Sequence, residues 1–316
     1  AQDCLCLKVS AEPPTPSAVT MPLRLLSFNI WFSQHEMQRR MHAIGGLIAS
    51  TSPDLVALQE MTHDHWRVCL EHPAFKELSW SQPERQGYYT LIGSRSPFSS
   101  APLRRPFEAT LMGRDMLCAT VEPPGLPPLV FATSHLESLD RAKVRREQMR
   151  EGFGRLGTAH DVVWCGDTNI NEGNDGPTSL PSGWQDAWTA LRPQEGGYSF
   201  DVERNEMMPL FDGWAVQNKA RIRYDRFWVK SANYTLAAIE MLDEPIDKQL
   251  WPSDHFGLLL TLEAKNVPNQ QSGFQMLTST TVMQFITPMS NLFGRRQSNL
   301  TPAAPIPQRL PQVPQV

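Results

Sequence analysis

The sequence predicts a mixed α/β domain, with two packed β-sheets flanked by helices. Three observations predict it. Short apolar runs of strand length recur along the chain, each closed by turn or polar residues. Longer segments with apolar residues at helical spacing lie between several of them. In the middle of the chain, successive strand-like runs are joined by a few turn residues, as in antiparallel hairpins.

Residues 10–20, SAEPPTPSAVT, are rich in Pro and Ser, so 1–20 is expected to be a flexible lead-in. LRLLSFNIWF (23–32) is a strand. A helix follows, carrying Met37, Met41, Ile44 and Ile48 on one face. DLVALQE is a buried strand ending at Glu60, and HDHWRVCLEHPAF is a short helix. YYTLIGS, ATLMGR, MLCATVE and LVFATSH are strands. RAKVRREQMREGFGRLG is a helix with interleaved charges, and VVWCGD, YDRFWVK and HFGLLLTLE complete the strands. Residues 21–264 are thus expected to form one catalytic domain. The segment 265–316 turns polar and then Pro-rich, and reads as a disordered tail. Its apolar stretch MLTSTTVMQFITPM is the alternative reading, a segment for an unidentified protein partner, with the disordered tail preferred.

Composition narrows the function. Of 316 residues, 41% are hydrophobic and 20% charged, as in a globular protein with a real core. The net charge of −4 excludes a generally basic nucleic-acid coat protein, so a nucleic-acid role needs a local basic patch. No apolar run is long enough to span a bilayer, and no membrane partner is expected. Residues 1–20 lack a basic start followed by an apolar core, so no secretion signal is expected. Five cysteines without such a signal favour reduced thiols in the cytosol or nucleus. Cys4 and Cys6 have no second pair at zinc spacing, and Cys69, Cys118 and Cys165 sit in apolar surroundings as core residues.

The polar residues gather at strand ends. Asn29, Glu60, His135 and Asp167 each end an apolar run, and Asn169 follows two positions after Asp167. Asp225 opens another strand, and Asp254 and His255 precede the last. Any one of these alone reads as a turn or rim residue. Strand ends in packed sheets cluster at one edge, however, and a set of carboxylates, carboxamides and histidines gathered there is suited to chemistry. The donors are mainly oxygens, which suits Mg²⁺, with Mn²⁺ as a substitute. Such an ion binds phosphate oxygens and neutralises developing charge. Asp167 can orient or deprotonate a water, and the two histidines can donate to the phosphoryl oxygens. The set points to hydrolysis of a phosphate ester.

LSFNIW, LVALQE, TSHLES, WCGDTN and WPSDHFG occur in this order from Phe28 to Gly257. Together they resemble the endonuclease/exonuclease/phosphatase superfamily, which implies a four-layer α/β/β/α sandwich with two central mixed sheets. Within it, SHLES, GDTN, SDHFGLL, GYYTLI and RYDRFWV are similar to the 5′-tyrosyl-DNA phosphodiesterases. That branch removes trapped topoisomerase II peptides from DNA 5′ ends. The resemblance implies that Glu60 binds Mg²⁺ directly, with Asn29 and Asp254 nearby. Asp167 would position and activate water with Asn169. His255, held by Asp225, would stabilise the transition state, and His135 would contact the scissile phosphate. Ser134, Ser138, Phe200, Arg223 and Trp251 are expected to contact substrate or DNA. The partners implied are single-stranded DNA and DNA 5′ ends bearing tyrosyl or peptide adducts. The resemblance also implies a monomer acting in the nucleus, with the cytoplasm as a further compartment.

Two departures fall together. The branch reads GDTN-Leu-Arg-Asp and Tyr-Thr-Trp-Asp, whereas this chain has Ile170-Asn171-Glu172 and Tyr198-Ser199-Phe200-Asp201. An Arg beside a Trp makes a cation–π platform that Asn171 and Phe200 cannot reproduce. Either Arg221 or Arg223 supplies the charge from another direction, or the substrate differs; the first is the preferred reading. The alternatives are a superfamily nuclease or phosphatase acting on another phosphoester, and a non-catalytic scaffold. Intact Glu60, Asp167 and His255 argue against the scaffold. For DNA, the basic helix RAKVRREQMR and the loop residues Arg95, Arg104 and Arg105 offer charge, although a solvated helix face explains the helix as well.

Overall fold

The structure is a computed structural model, and residues 21–265 are described. The expected lead-in and tail, with Cys4 and Cys6, lie outside the described residues. The chain opens with β1 (Leu23–Asn29), α1 (Met37–Thr51) and β2 (Leu55–Thr62). Helices α2 (His63–Cys69) and α3 (Pro73–Lys76) lead to β3 (Ser79–Trp80) and β4 (Tyr88–Ser94). β5 (Leu103–Pro106), β6 (Asp115–Val121) and β7 (Leu129–Ser134) precede α4 (Ala142–Leu156). Then come β8 (Asp161–Asp167), α5 (Glu172–Asp175), β9 (Gln185–Asp186), α6 (Ala187–Leu191) and β10 (Phe200–Asp201). A 3-10 turn (Met208–Leu210), α7 (Gly213–Gln217) and β11 (Arg221–Ile222) lead to β12 (Asp225–Ser231), β13 (Tyr234–Leu242) and β14 (Gly257–Ala264).

One six-stranded sheet has the order β13-β14-β1-β2-β4-β3, and the other β5-β6-β7-β8-β12-β9. Strand alternation explains the layers. Leu25, Ala57, Phe131, Val163, Phe227 and Leu260 point between the sheets and form the central core. Leu26, Phe28, Val56 and Leu58 point outward and meet Met41, Ile44 and Ile48 of α1. On the other side Val162, Trp164 and Trp228 meet Met149, Phe153 and Leu156 of α4. The result is the four-layer sandwich implied by the motifs. Truncating a fully buried side chain such as Ile44 to Ala costs about 2–5 kcal/mol.

Topology then brings the polar strand ends to one edge. β1 and β2 run parallel, as do β7 and β8, so each pair ends together. β14 is antiparallel to β1, and β12 to β8, so their beginnings reach the same edge, with Asp225 directly opposite Asp167. Gly166 permits the closest approach there. Its φ is 131°, and a Cβ would lie 2.1 Å from the Ser134 carbonyl oxygen.

Two sequence expectations are corrected. ATLMGR is not a strand; residues 107–114 are a loop between β5 and β6. Its backbone groups are used elsewhere: Leu111 N donates to Glu137, and Arg114 N to Thr110 Oγ1. β13 is an edge strand that the sequence reading did not find. Cys69 and Cys165 are buried as expected, while Cys118 is half-buried. No helix of the described residues is long and apolar enough to cross a membrane.

Candidate active site

Asp167 is the hub of the edge. Its Oδ2 accepts from Asn29 Nδ2 at 2.9 Å and lies 3.4 Å from His135 Nε2 and 3.9 Å from His255 Nε2. Its Oδ1 accepts from the Asn169 backbone at 2.8 Å. Asn169 reaches this position with φ 50°, and its own amide donates to Leu136 O at 3.3 Å. Three N–H groups, from the ends of β1 and β7 and the loop before β14, thus converge on one carboxylate oxygen in a cleft of about 520 Å³. Glu60, His135, Asn169, Phe200 and His255 line the same cleft.

The two histidines have opposite electrostatics. Burial pushes His135 down to about 3, and the Arg114 guanidinium adds to the effect. Arg114 Nη1 donates to His135 Nδ1 at 3.2 Å, so the neutral ring carries its proton on Nε2, facing Asp167. Burial also opposes charge on His255, but Asp225 and Asp167 outweigh it and raise its pKa well above 6.5. His255 Nδ1 donates to Asp225 Oδ2 at 2.7 Å. One donor is therefore a neutral imidazole and the other an imidazolium.

Glu60 owes its position to a break in β2. Its φ is 62°, and the β2–β4 register shifts between Leu58 and Met61. A non-glycine residue in this region costs about 1–3 kcal/mol, a cost that recurs at functional sites. Phe32 N holds the carboxylate at 3.1 Å. Burial and the neighbouring Asp254 charge push Glu60 up to about 7. Asp254 is raised as well, chiefly by burial. A cation held between these two buried carboxylates would relieve the burial that raises both and the Asp254 charge that raises Glu60. Glu60, His135 and Asp167 also bring ligand atoms within 4.8 Å of one another. The donor set fits a hard divalent cation. Asn29 Oδ1 accepts from Trp31 N at 3.0 Å, and its amide holds Asp167.

Among the expected substrate residues, Ser138 and Phe200 line the cleft. The Phe200 ring meets the His255 ring edge-on at 5.3 Å. Three others are placed elsewhere. Ser134 is buried on the helix side of its sheet, where its hydroxyl accepts from Trp164 Nε1 at 3.1 Å. Trp251 packs on Phe256 in a separate apolar cluster. Arg223 pairs with Asp186 at 2.7 Å, away from the cleft. Arg221 is tied to Asp201 and stacks on Tyr198. Neither arginine supplies the cleft charge that residue 171 lacks. Arg95 and Arg104 are also spent on protein partners.

The sequence reading missed two arginines that build the site. Arg114 is buried and bridges His135 to Ser138, donating to Ser138 Oγ at 2.7 Å. Arg40 of α1 is fully buried and donates to the carbonyls of Ile30, Trp31, Ser33, His35 and Pro252. It therefore ties the loop that holds Glu60 to the loop that carries Asp254. Burial lowers its pKa to about 10, against the pull of Asp254 and Glu60. Helical spacing does set Arg40 apart from Arg39: it lies three residues after Met37 and four before Ile44, beside the apolar face of α1, whereas Arg39 points away from it.

A four-layer α/β sandwich with carboxylates, carboxamides and histidines converging at one edge defines a class of phosphoester hydrolase. The model of the endonuclease/exonuclease/phosphatase family matches residues 26–255, and the chain belongs to that family. It is similar to tyrosyl-DNA phosphodiesterase 2 of Homo sapiens, with 26% identity over 276 residues, covering 83% of this chain and 74% of that one. The solved structure of D. rerio TDP2 complexed with single strand DNA product is 27% identical, with a TM-score of 0.69. That match covers 77% of this chain and all of the other. TDP2 from C. elegans, at 21% identity and a TM-score of 0.64, covers 76% of this chain and 75% of its own, and shares the fold. The chain is a phosphodiesterase of this family.

Proposed function

We propose that the protein is a Mg²⁺-dependent 5′-tyrosyl-DNA phosphodiesterase, with Mn²⁺ able to substitute. It would act as a monomer in the nucleus, with the cytoplasm as a further compartment, on DNA 5′ ends left by trapped topoisomerase II. The observation that carries this reading is the convergence of Asn29, His135 and His255 on Asp167 Oδ2, together with relatives of that activity.

A scissile phosphate seated above Asp167 would take the N–H donors of His135 and His255. The His255 imidazolium stabilises negative charge on the phosphoryl oxygens, and Asp225 keeps it protonated. Asp167 orients the attacking water and receives its proton. The water oxygen bonds to phosphorus as the bond to the tyrosine oxygen breaks, leaving a 5′-phosphate. Glu60 and Asp254 would hold the divalent ion, which supplies charge neutralisation at the phosphate when bound.

A second reading is hydrolysis of another phosphoester. One observation favours it: Asn171, which lines the cleft, is uncharged, and Arg221 and Arg223 are engaged elsewhere. The test is a substrate panel with Mg²⁺: a 5′-phosphotyrosyl oligonucleotide, the plain oligonucleotide and a phosphoinositide. The proposal expects a 5′-phosphate product from the first alone. Turnover confined to the phosphoinositide, or internal cleavage of the plain strand, overturns it in favour of the second reading.

A further inference from the structure

We propose a second, non-catalytic site for a phosphate-class oxyanion on the outer face of the sheet, centred on Arg226. This inference is independent of the substrate assigned to the catalytic cleft. Asp225 and Arg226 are neighbours on β12, so their side chains leave opposite faces of the sheet. Asp225 goes to His255 and the catalytic edge. Arg226 lines a separate cavity of about 310 Å³ with Arg223, Asp186, Glu172, Thr178 and Trp184.

Arg226 is 1% exposed, yet poorly partnered. Its contacts run through Nη1 alone, at 3.3 Å to Glu172 and 3.4 Å to Asp186. Among the described residues its Nε is buried without a partner, and both hydrogen bonds of the guanidinium leave from Nη1. Nε and Nη2 form the edge of a guanidinium that grips an oxyanion with two parallel hydrogen bonds. Thr178 Oγ1, of a residue lining the same cavity, is also buried without a partner among the described residues.

The local carboxylates do not fill this gap. Asp186 is already shared: its Oδ1 caps α6 through Trp188 N and Thr189 N, and both oxygens accept from Arg223. Glu172 sits on the rim with its side chain 45% exposed, held among the described residues by contacts of 3.3 and 3.6 Å to the two arginines. The deep part of the cavity therefore holds two guanidinium groups and one spent carboxylate. A buried, half-unpaired guanidinium beside an unpaired hydroxyl is a costly arrangement unless an acceptor arrives. A tetrahedral oxyanion supplies acceptors to both. The volume exceeds that of phosphate alone, so the phosphate of a small monoester fits as well.

Calorimetric titration of inorganic phosphate, and separately of phenyl phosphate, tests the proposal. The protein is the full chain in chelator without divalent ions, with His255→Gln to remove phosphate binding at the catalytic edge. Binding by both anions assigns a monoester ligand, and binding by inorganic phosphate alone assigns the free ion. Glu172→Gln removes the competing rim carboxylate and should tighten binding several-fold. Thr178→Val should weaken it roughly tenfold, the value of one hydrogen bond to a charged group. Arg226→Gln should abolish it. The Glu172 and Thr178 variants leave the buried guanidinium in place, so they report even where Arg226→Gln fails to fold. No binding by either anion, or binding unchanged in Glu172→Gln and Thr178→Val, overturns the site.

Discussion

Asp225 Oδ2 lies 2.7 Å from His255 Nδ1, and this contact sets the charge of the catalytic edge. Burial alone would leave the imidazole neutral. Asp225, and then Asp167, raise its pKa well above 6.5. Because the pKa is raised, His255 is protonated through neutral pH, and its contribution is lost as pH rises through the raised value. Asp225→Asn should therefore move the alkaline limb of the kcat–pH profile to lower pH and reduce kcat by roughly 10²–10⁴-fold. An unshifted alkaline limb would show that His255 does not act as an imidazolium.

Divalent ions should stabilise the fold through Glu60. The carboxylate is pushed up to about 7 by burial and by Asp254, and a bound cation reverses that penalty. A ligand at 100 times its Kd stabilises by about 2.7 kcal/mol. Saturating Mg²⁺ should raise the Tm of the wild type, and chelator should abolish turnover. Glu60→Gln should lose most of the Mg²⁺-dependent Tm rise. An equal rise in both proteins would place the ion elsewhere.

Arg40 should be among the most sensitive core positions. All five of its hydrogen bonds among the described residues go to backbone carbonyls, and its guanidinium stacks on Trp31 at 4.8 Å. Arg40→Met leaves those carbonyls without their donor, at about 1–3 kcal/mol for each buried one left unpaired. Urea denaturation should show a loss of at least about 3 kcal/mol. A loss under about 1 kcal/mol would mean that the two loops hold themselves.

Acid should weaken the fold partly through His65. Its Nδ1 accepts from Thr62 Oγ1 at 2.8 Å and its Nε2–H donates to Ser33 O at 3.2 Å, which fixes a neutral ring. Burial and the nearby Arg40 lower its pKa to about 4. A depressed histidine contributes stability that is present above the unfolded pKa of 6.5 and is lost as pH falls toward 4. The loss reaches up to roughly 3 kcal/mol. His65→Gln should flatten stability against pH between these values, and an unchanged slope would assign the acid sensitivity to other groups.

Much of the site was legible because a buried strand that stops at a carboxylate is conspicuous. Asn29, Glu60, His135 and Asp167 each end such a run, and parallel pairing brings them together. What decides the rest is tertiary. Arg114 looks like a surface residue until the loop it binds is in place, and the spacing that puts Arg40 beside Met41 and Ile44 does not reveal which carbonyls it holds. Ser134 lies beside His135, but strand alternation sends it to Trp164 on the far face. ATLMGR has strand-like composition, yet the backbone donors Leu111 N and Arg114 N, which a ladder would use, go to Glu137 and Thr110 Oγ1. β13 was missed because an edge strand exposes much of YTLAAIEML and leaves little buried alternation to read.

The most direct test of the central claim is the single-turnover rate of Asp167→Asn on a 5′-phosphotyrosyl oligonucleotide with Mg²⁺. Asn29, Asn169, His135 and His255 all surround this carboxylate, so the substitution keeps shape and removes the water-orienting charge. The predicted result is a rate at least roughly 10³-fold below wild type, with substrate affinity within a few-fold and Tm preserved. A rate within about tenfold of wild type would contradict the assignment of Asp167 as the residue that prepares water for attack on the phosphorus.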